Sequence, residues 1–244
     1  MPSKRELEEL YWDKGLSLPE LAKIYGVSVK TVWRWMKKHG IPRRERDKAK
    51  FDKYWKSERP VNLENKADLA YILGVMYGDG SLVFNPKTYG YILKLACKDE
   101  AFAKSFADAL RRMGISPYVW HSKKSGIWEV RAINKKLWML VKSAKDDESL
   151  KLLRELIRDH EIEFVRGFYE SEGKSKVTAF VNTNRNLLEF VSQILEKHGF
   201  KTTISSIKTS GNRKPLYVLY VLGGKSSRRR FLALVNPCIK NGGV

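Results

Sequence analysis

The sequence predicts an α+β protein built from two related halves, each an antiparallel sheet covered on one face by helices, with a small all-α segment at the amino terminus. Two segments 93 residues apart share one layout, an apolar helix followed by a small residue, an acid and a glycine. After each segment, short strand-like runs alternate with amphipathic helices as hairpins, without the crossover pattern of a parallel sheet. Residues 6–39 carry only helical periodicity.

The charge balance favours a polyanionic partner. The 244 residues include 47 Lys and Arg against 27 Asp and Glu, which gives a formal net charge of +20. Such an excess points to nucleic acid or to an acidic membrane surface. No apolar run approaches the roughly 18 residues that span a bilayer. The charged start, MPSKRELEEL, is unlike the apolar core of a secretory signal. We therefore expect a nucleic-acid partner and no membrane.

Cysteine and histidine usage narrows the chemistry further. Cys97 and Cys238 show no C-x-x-C spacing, so we expect a reduced, intracellular location in the cytoplasm. The 4 histidines are scattered, which argues against a zinc-binding hydrolase or a histidine-dependent nuclease.

The basic residues are unevenly placed along the chain. No acid occurs from Ser28 to Arg44 or from Lys197 to Val244, and both stretches are rich in Lys and Arg. One-sided segments of this kind are typical of surfaces that contact phosphates. The alternative is a lysine-rich surface that merely aids solubility.

The amino-terminal segment predicts a helix-turn-helix. Helical patterns cover residues 6–13 and 18–25, and a glycine turn leads into a third helix between Ser28, its N-cap, and His39. The stretch LSLPELAKIYGVSVKTVWRWMKKHGIPRR resembles the DNA-binding domains of resolvase-like and transposase-like proteins. The alternative is a three-helix module that contacts another protein.

The third helix divides into an apolar back and a polar face, as a helix in a DNA major groove requires. Val32, Trp35, Met36 and His39 recur at helical spacing and should pack inward. Trp33 lies near the edge of either face. We expect the polar side of this segment to contact DNA through Ser28, Lys30, Thr31, Arg34, Lys37 and Lys38.

A basic linker is expected over residues 43–62, after a helix-turn-helix domain over residues 1–42. Arg43 and Arg44 open this linker, whose basic and aromatic residues would let it follow a DNA backbone or lie in a minor groove. An ordinary solvated linker fits the same sequence.

The repeated segments LGVMYGDG (Leu73–Gly80) and VRGFYESEG (Val165–Gly173) resemble the two motif copies of single-chain LAGLIDADG homing endonucleases. The resemblance covers residues 66–240 and implies two pseudo-symmetric αββαββα halves, 63–158 and 159–244. In this family the two four-stranded sheets form a saddle along the DNA major groove. The resemblance also implies a monomer that makes a Mg²⁺-dependent double-strand break at a long target site.

Small residues predict that the two motif helices pack side by side. Gly74 and Gly78 lie four residues apart, and the second copy repeats this spacing with a glycine and a serine. Each helix therefore has one face without bulky side chains, where two backbones can approach closely. We also expect Gly80 and Gly173 to end their helices in the left-handed conformation.

This packing would bring Asp79 and Glu172 together at the helix C-termini, where the dipole and free carbonyls attract cations. With the carbonyls of Gly78 and Ser171, the two acids form an oxygen-only ligand set that suits Mg²⁺. The alternative is that both carboxylates are surface residues, although acids are unfavourable at a helix C-terminus.

By the same resemblance, DNA cleavage also needs a basic residue that neutralises charge on the reacting phosphate. The family often places a polar residue at the end of the second strand, where the first half has a cysteine followed by Lys98, and the second half has Asn182. Lys98 is the first-half candidate, and Lys240 matches a basic position of the family in the last loop. Lys142 or Lys145 is the expected first-half counterpart of that position.

Strands and hairpin loops should present basic and aromatic residues to the DNA. We expect about half of the following set to touch it: Lys87, Tyr89, Tyr91, Lys94, Lys123, Lys124, Arg131, Lys174, Lys176, Thr178, Lys208, Arg213 and Lys214.

Two other functions fit the same scaffold. One is a regulator that binds DNA without cutting it, which the loss of an acid would favour, yet both acids are present. The other is a maturase that holds intron RNA during splicing, and the sequence does not separate a maturase that also cuts from an enzyme that only cuts.

Overall fold

The computed structural model describes residues 1–43, 60–85, 90–174, 177–207 and 215–239. These residues fall into two compact units, an amino-terminal unit and a larger one that begins at residue 59, within the expected linker. Among the described residues, no helix has the length and apolar character needed to cross a membrane. Eight residues expected at the DNA or in the catalytic site lie outside the described residues: Arg44, Lys87, Tyr89, Lys176, Lys208, Arg213, Lys214 and Lys240.

In the described part of the amino-terminal unit, the regular elements are all helices. Its elements are α1 (Lys4–Glu8), which continues as a π-helical turn (Glu9–Asp13), α2 (Leu18–Ile24) and α3 (Val29–Lys38). The Oγ of Ser28 accepts a hydrogen bond from the Thr31 amide at 3.1 Å. This N-cap satisfies one of the free amides at the start of α3 and fixes the turn before it.

A small apolar core holds these helices together. Trp35 and His39, which were expected to pack inward, are only half-buried. Trp35 packs edge-on against Tyr25, with ring centroids 5.8 Å apart, and His39 Nε2 lies 3.1 Å from the Pro2 carbonyl oxygen. The buried residues of this core are Leu7, Tyr11, Leu21, Ala22, Val32, Met36 and Ile41.

The larger unit repeats one order of helices and strands. Its first half contains α4 (Lys66–Tyr77), β1 (Ser81–Asn85), β2 (Gly90–Cys97), α5 (Glu100–Arg112), β3 (Tyr118–Ser122), β4 (Ile127–Ile133) and α6 (Lys135–Asp146). A short helix, α7 (Lys151–Leu156), follows. The second half contains α8 (Glu161–Glu172), β5 (Gly173–Lys174), β6 (Ala179–Asn182), α9 (Arg185–Lys197), β7 (Thr202–Ile207), β8 (Leu216–Val221) and α10 (Gly224–Val235).

Each half contains one four-stranded antiparallel sheet, and the strand orders β1-β2-β4-β3 and β5-β6-β8-β7 are the same. In the first sheet, the buried residues Leu93 and Leu95 pair with Ala132 and Val130 on the face that the helices cover. Because side chains alternate along a strand, the residues that lie between these buried residues point to the opposite face of the sheet. The predicted α+β fold of two αββαββα halves is confirmed. Strand β5 was implied only by the family resemblance, because two residues are too few to show a strand period in the sequence.

Helices α4 and α8 are in direct backbone contact. A methyl group on Gly74 would overlap the Phe164 carbonyl oxygen and would lie 2.8 Å from the Phe168 amide nitrogen. A methyl group on Gly167 would likewise overlap the Tyr71 carbonyl oxygen. The predicted side-by-side packing of the two motif helices is therefore confirmed, with one glycine of each helix at the contact.

The glycines that close the two motifs do not have the predicted left-handed conformation. Gly173 is extended, with φ −70° and ψ 152°, and Gly80 does not have a positive φ. Both instead lie tightly against the preceding turn. A methyl group on Gly80 would lie 2.6 Å from Met76 Cα, and one on Gly173 would overlap the Tyr169 carbonyl oxygen. Glycine is thus required here for space, where the chain passes from each helix into the first strand of its half.

Replacing Gly74 or Gly167 by alanine should destabilise the fold. Alanine is normally better than glycine inside a helix by about 1 kcal/mol, but here the added methyl group meets backbone that cannot move unless the helices separate. We expect the free energy of unfolding, measured in denaturant, to fall by roughly 1–3 kcal/mol. Ser143→Ala, at an exposed position of α6, is the control and should change it by less than about 0.5 kcal/mol. Unchanged stability of both glycine variants would contradict the backbone contact.

Candidate active site

The two acids of the repeated motifs lie where α4 and α8 end. Helix α4 ends at Tyr77, Gly78 caps it, and Asp79 follows directly. A methyl group on Gly78 would overlap Ser171 Cβ and would lie 3.1 Å from Glu172 Cγ. The neighbour of Asp79 therefore touches the side chain of Glu172, and the structure brings both acids to adjoining ends of the helix pair.

The two acids occupy different positions relative to their helices. Both were expected in the last helical turn, and Glu172 is indeed the final residue of α8. Asp79 lies beyond the end of α4, because the amides of Gly78 and Gly80 both donate to the Val75 carbonyl, at 3.1 and 2.9 Å. These two bonds satisfy that carbonyl and close the helix before the acid.

Each acid has a side chain from the second strand of its half nearby. Asn182, at the end of β6, donates from Nδ2 to Glu172 Oε1 at 3.3 Å. Cys97, at the end of β2, donates from Sγ to the Asp99 carbonyl oxygen at 3.3 Å. Burial raises the pKa of the Cys97 thiol to about 11, and the negative charge of Asp79 adds to the rise. The thiol is thus protonated at neutral pH, so the second half has an amide where the first has a neutral thiol.

A lysine contacts the end of α4. Lys145 Nζ donates to the Met76 carbonyl oxygen at 2.7 Å. Although much of Lys145 is exposed, its ammonium group packs against protein, and this desolvation lowers its pKa. A second hydrogen bond, from the Tyr77 hydroxyl to the Ala144 carbonyl at 2.6 Å, also links α4 to α6. Of the two lysines considered for the first half, Lys145 therefore lies beside the motif helix, whereas Lys142 is exposed and pairs with an acid of its own helix.

The other two candidate catalytic lysines stay predictions. Lys98 is exposed in the turn between β2 and α5, directly after Cys97. Lys240 lies outside the described residues, directly after Ile239, the last of them.

A buried carboxylate was missed in the sequence. Glu170 is 1% exposed and precedes Glu172 by two residues in α8. Its Oε2 accepts a hydrogen bond from the Tyr71 hydroxyl at 2.6 Å, and its Oε1 accepts one from the Cys238 amide at 2.7 Å. These bonds tie α4, α8 and the carboxy-terminal segment together. An acid among the buried aromatic residues of a motif helix is the signal that could have identified it.

The donor set at the helix ends suits a hard divalent cation. In the part of the chain that the structure describes, no three His, Cys, Asp or Glu side chains cluster into a metal site. Asp79 and Glu172 would thus leave most coordination positions to water and substrate, which is how Mg²⁺ is commonly held in sites that act on phosphates. Gly78 and Ser171, whose carbonyls were expected as further ligands, lie at the same helix ends.

Several residues expected at the DNA lie on the uncovered side of the sheets. Lys94 and Arg131 pair across β2 and β4, opposite the helix-covered face. Lys123 is exposed in the turn between β3 and β4, and Lys174 is exposed on β5. All four can be reached by a ligand placed on that side or at its edges.

Tyr91 does not face the saddle, contrary to the prediction. Alternation along β2 places it on the same side as the buried residues Leu93 and Leu95. Its ring packs against Trp138 and Phe84, at centroid distances of 5.1 and 5.0 Å. Tyr91 therefore belongs to the packing between sheet and helices.

Helix α3 presents the predicted basic face to solvent, with Lys30, Arg34, Lys37 and Lys38 exposed. Trp33, whose side of the helix was ambiguous, is 37% exposed and follows Lys30 by three residues, on the same stripe. The ammonium group of Lys37 and the guanidinium of Arg43 lie 5.7 and 5.5 Å from its ring centre. An aromatic ring thus stands among the cations of this face.

Two uncharacterized proteins of Methanocaldococcus jannaschii are similar to this chain. MJ0398 is 28% identical over 197 residues, which cover 79% of this chain and 66% of that protein. MJ0314 is 32% identical over 167 residues, which cover 61% of each. The chain thus spans less than two thirds of the curated relatives it matches.

Solved structures of the homing endonuclease I-DmoI share the fold of the larger unit. The structure of I-DmoI in complex with DNA and Mn has a TM-score of 0.54 and 23% identity, and the match covers 73% of this chain and 99% of that one. An I-DmoI variant in complex with its target DNA, in the presence of Mg, gives a TM-score of 0.54 and 24% identity, with coverage of 72% and 97%.

Family models agree with both parts of the sequence-based interpretation. The model of the LAGLIDADG-like domain matches residues 66–140 and 159–236, one match in each half. The model of a helix-turn-helix domain matches residues 16–55, so the predicted helix-turn-helix is confirmed. The chain belongs to the LAGLIDADG-like domain family and carries a helix-turn-helix domain at its amino terminus.

Proposed function

We propose that this protein is a site-specific DNA endonuclease that makes a double-strand break with the help of Mg²⁺. The observation that carries the proposal is the pair of acids, Asp79 and Glu172, at adjoining ends of two helices in backbone contact. I-DmoI, whose fold the larger unit shares, is a homing endonuclease, and a variant of it has been solved with its target DNA in the presence of magnesium. Because both halves lie in one chain, a monomer suffices.

Each residue of the site has a role in this reaction. Asp79 and Glu172 would hold the cation, and Asn182, which donates from its amide to Glu172, would orient that carboxylate. The cation, when bound, supplies a stronger nucleophile from water and offsets charge on the leaving oxygen. Lys145, which contacts Met76 three residues before Asp79, provides positive charge near the phosphate of the first half.

Charge complements the proposed substrate. The net charge of +20 attracts DNA from solution, and the exposed cations of α3 suit a major groove flanked by phosphates. The helix-turn-helix would add a second contact with DNA and lengthen the recognised site.

The direct test is a cleavage assay without a chosen target. The full chain is incubated with a supercoiled plasmid library in Mg²⁺ or Mn²⁺, and the new ends are sequenced. The proposal predicts double-strand ends at one long sequence. Specific binding without cleavage in any divalent cation would favour a DNA-binding regulator, and specific binding of intron RNA without cleavage of DNA would favour a maturase.

Removing either acid should abolish cleavage but not binding. Asp79→Asn and Glu172→Gln each delete a ligand charge with little change of shape, and without metal they should bind DNA at least as tightly because carboxylates repel phosphates. Plasmid cleavage and gel-shift affinity provide the two measurements. Asp108→Asn and Glu189→Gln are matched controls, since both acids form ion pairs on the outer helices. These controls should cut normally. Undiminished cutting by both site variants would contradict the assignment of Asp79 and Glu172 to the cleavage site.

DNA affinity should depend steeply on salt. If about ten basic residues contact phosphates, the association constant should fall by roughly 10³-fold or more between 50 and 200 mM salt, because bound counterions are released. Fluorescence anisotropy with a labelled duplex measures this slope. A nearly flat dependence would mean that the basic stretches do not meet the DNA backbone.

The helix-turn-helix should extend the DNA contact without being needed for cleavage. A variant that starts after residue 58 keeps both acids, so it should fold and cut, with weaker binding and a shorter footprint. Arg34→Ala in the full chain should cost about 1–3 kcal/mol of binding if the side chain reads a base edge, and less if it meets a phosphate. Nuclease footprints of the two proteins on one target provide the comparison. An identical footprint and affinity would point to another partner for this domain.

A further inference from the structure

The uncovered face of the first sheet is mostly uncharged. Alternation from the buried residues of β2 and β4 places Ile92, Ala96 and Ile133 on this face, and pairing with Ile92 adds Val83 from β1. Val83 and Ile133 are 39% and 44% exposed. Against this apolar background, the strands carry one compact group of charges and rings, the Arg131 cluster: Lys94, Glu129, Arg131, Trp120 and Tyr118.

The Arg131 cluster is held together by several contacts at once. Glu129 Oε2 lies 2.9 Å from Arg131 Nη2 and 3.1 Å from Lys94 Nζ. The Arg131 guanidinium stacks on Trp120, with Cζ 4.3 Å from the ring centre, and Trp120 contacts the ring of Tyr118 at 5.2 Å. The arginine side chain is thus fixed in one direction by a carboxylate and an aromatic ring, while it remains 46% exposed.

The carboxylate of the cluster stays charged. Desolvation on its own would raise the pKa of Glu129, but hydrogen bonds from Lys94 and Arg131 outweigh it and lower the pKa. A partly exposed ion pair on a sheet surface adds only modestly to stability. Three charges grouped on strands whose other residues on this face are uncharged therefore call for an explanation outside folding.

The second half has no such cluster at the equivalent positions. Matching Cys97 with Asn182 and following the strand pairing gives Ala179 for Lys94, Val218 for Glu129 and Tyr220 for Arg131. The same pairing gives Ser205 in place of Trp120 and Thr203 in place of Tyr118. None of these five residues is Asp, Glu, Lys or Arg, so the cluster has no counterpart at these described positions of the second half.

We propose that Arg131 and Glu129 together read one G·C base pair in the half-site bound by the first sheet. A guanidinium offers two donors and the neighbouring carboxylate offers an acceptor. In the major groove a G·C pair presents the complementary order, the N7 and O6 acceptors of guanine and then the N4 donor of cytosine. This order of two donors and one acceptor on the protein matches a G·C pair in one of its two orientations, and it matches an A·T pair in neither orientation. This inference rests on the proposed DNA-binding function and adds a specificity determinant to it.

Selection of bound duplexes from a randomised library tests the proposal. The full chain is used in EDTA, which prevents metal-dependent cutting, and bound DNA is sequenced. Wild-type protein should select a fixed G·C pair at one position of a single half-site. Arg131→Lys keeps the charge but loses the two-donor fork, so the preference at that position should fall roughly 10- to 100-fold while other positions keep theirs.

Two further variants separate base reading from general effects. Glu129→Gln should weaken the preference at the same position, because the amide no longer offers a charged acceptor beside Arg131. Arg111→Lys, an equally exposed arginine paired with Asp108 on α5, is the control and should leave the whole profile unchanged. Thermal melts of each variant confirm that it is folded.

The outcomes distinguish this proposal from the proposed function. If wild-type protein selects DNA but Arg131→Lys keeps the same profile, or loses affinity equally for all sequences, base reading by Arg131 is overturned and the nuclease proposal stands. If wild-type protein selects no DNA sequence, both proposals fall.

Discussion

Backbone contact between two glycine-bearing helices is the constraint on which the rest of the larger unit depends. Gly74 and Gly167 leave no room for a methyl group between α4 and α8. The two helices are therefore held in one relative orientation, and with them the two halves of the larger unit. The same contact continues at Gly78, which lies against Ser171 and Glu172. Van der Waals packing of backbone against backbone thus positions two acids that come from opposite halves of the chain.

The two halves share a topology and differ in their chemistry. At the end of the second strand, Asn182 binds Glu172 through its amide, whereas the corresponding Cys97 carries a neutral thiol. At the equivalent strand positions, the first sheet has the Arg131 cluster and the second has uncharged residues, of which Ala179 and Val218 are buried. Packing constrains the buried side of each sheet and leaves the other side free to diverge. Such asymmetry suits a target whose two half-sites differ.

Local sequence patterns predicted the duplicated fold and the proximity of the two acids. They could do so because the two motifs themselves contain the small residues that let the helices pack and the acids that follow them. Patterns could not predict contacts made by packing. Tyr91, expected at the DNA, lies on the face of Leu93 and Leu95 and packs beside Trp138. Lys145 reaches Met76 across 69 residues of sequence. Gly173 was expected to need a positive φ and instead needs space beside Tyr169. Glu170 lies among aromatic residues of a motif helix, which indicates burial, but its partners Tyr71 and the Cys238 amide come from distant segments of the chain.

The most direct measurement of the shared acidic site is iron-mediated cleavage of the protein itself. In a complex of the full chain with the DNA target that the proposed function requires, Fe²⁺ takes the place of the proposed Mg²⁺, and ascorbate with peroxide generates radicals that cut nearby polypeptide. The structure predicts cuts beside both Asp79 and Glu172 in one complex, dependent on DNA. Cuts beside only one of these residues, or at neither, would contradict a single site formed by both halves.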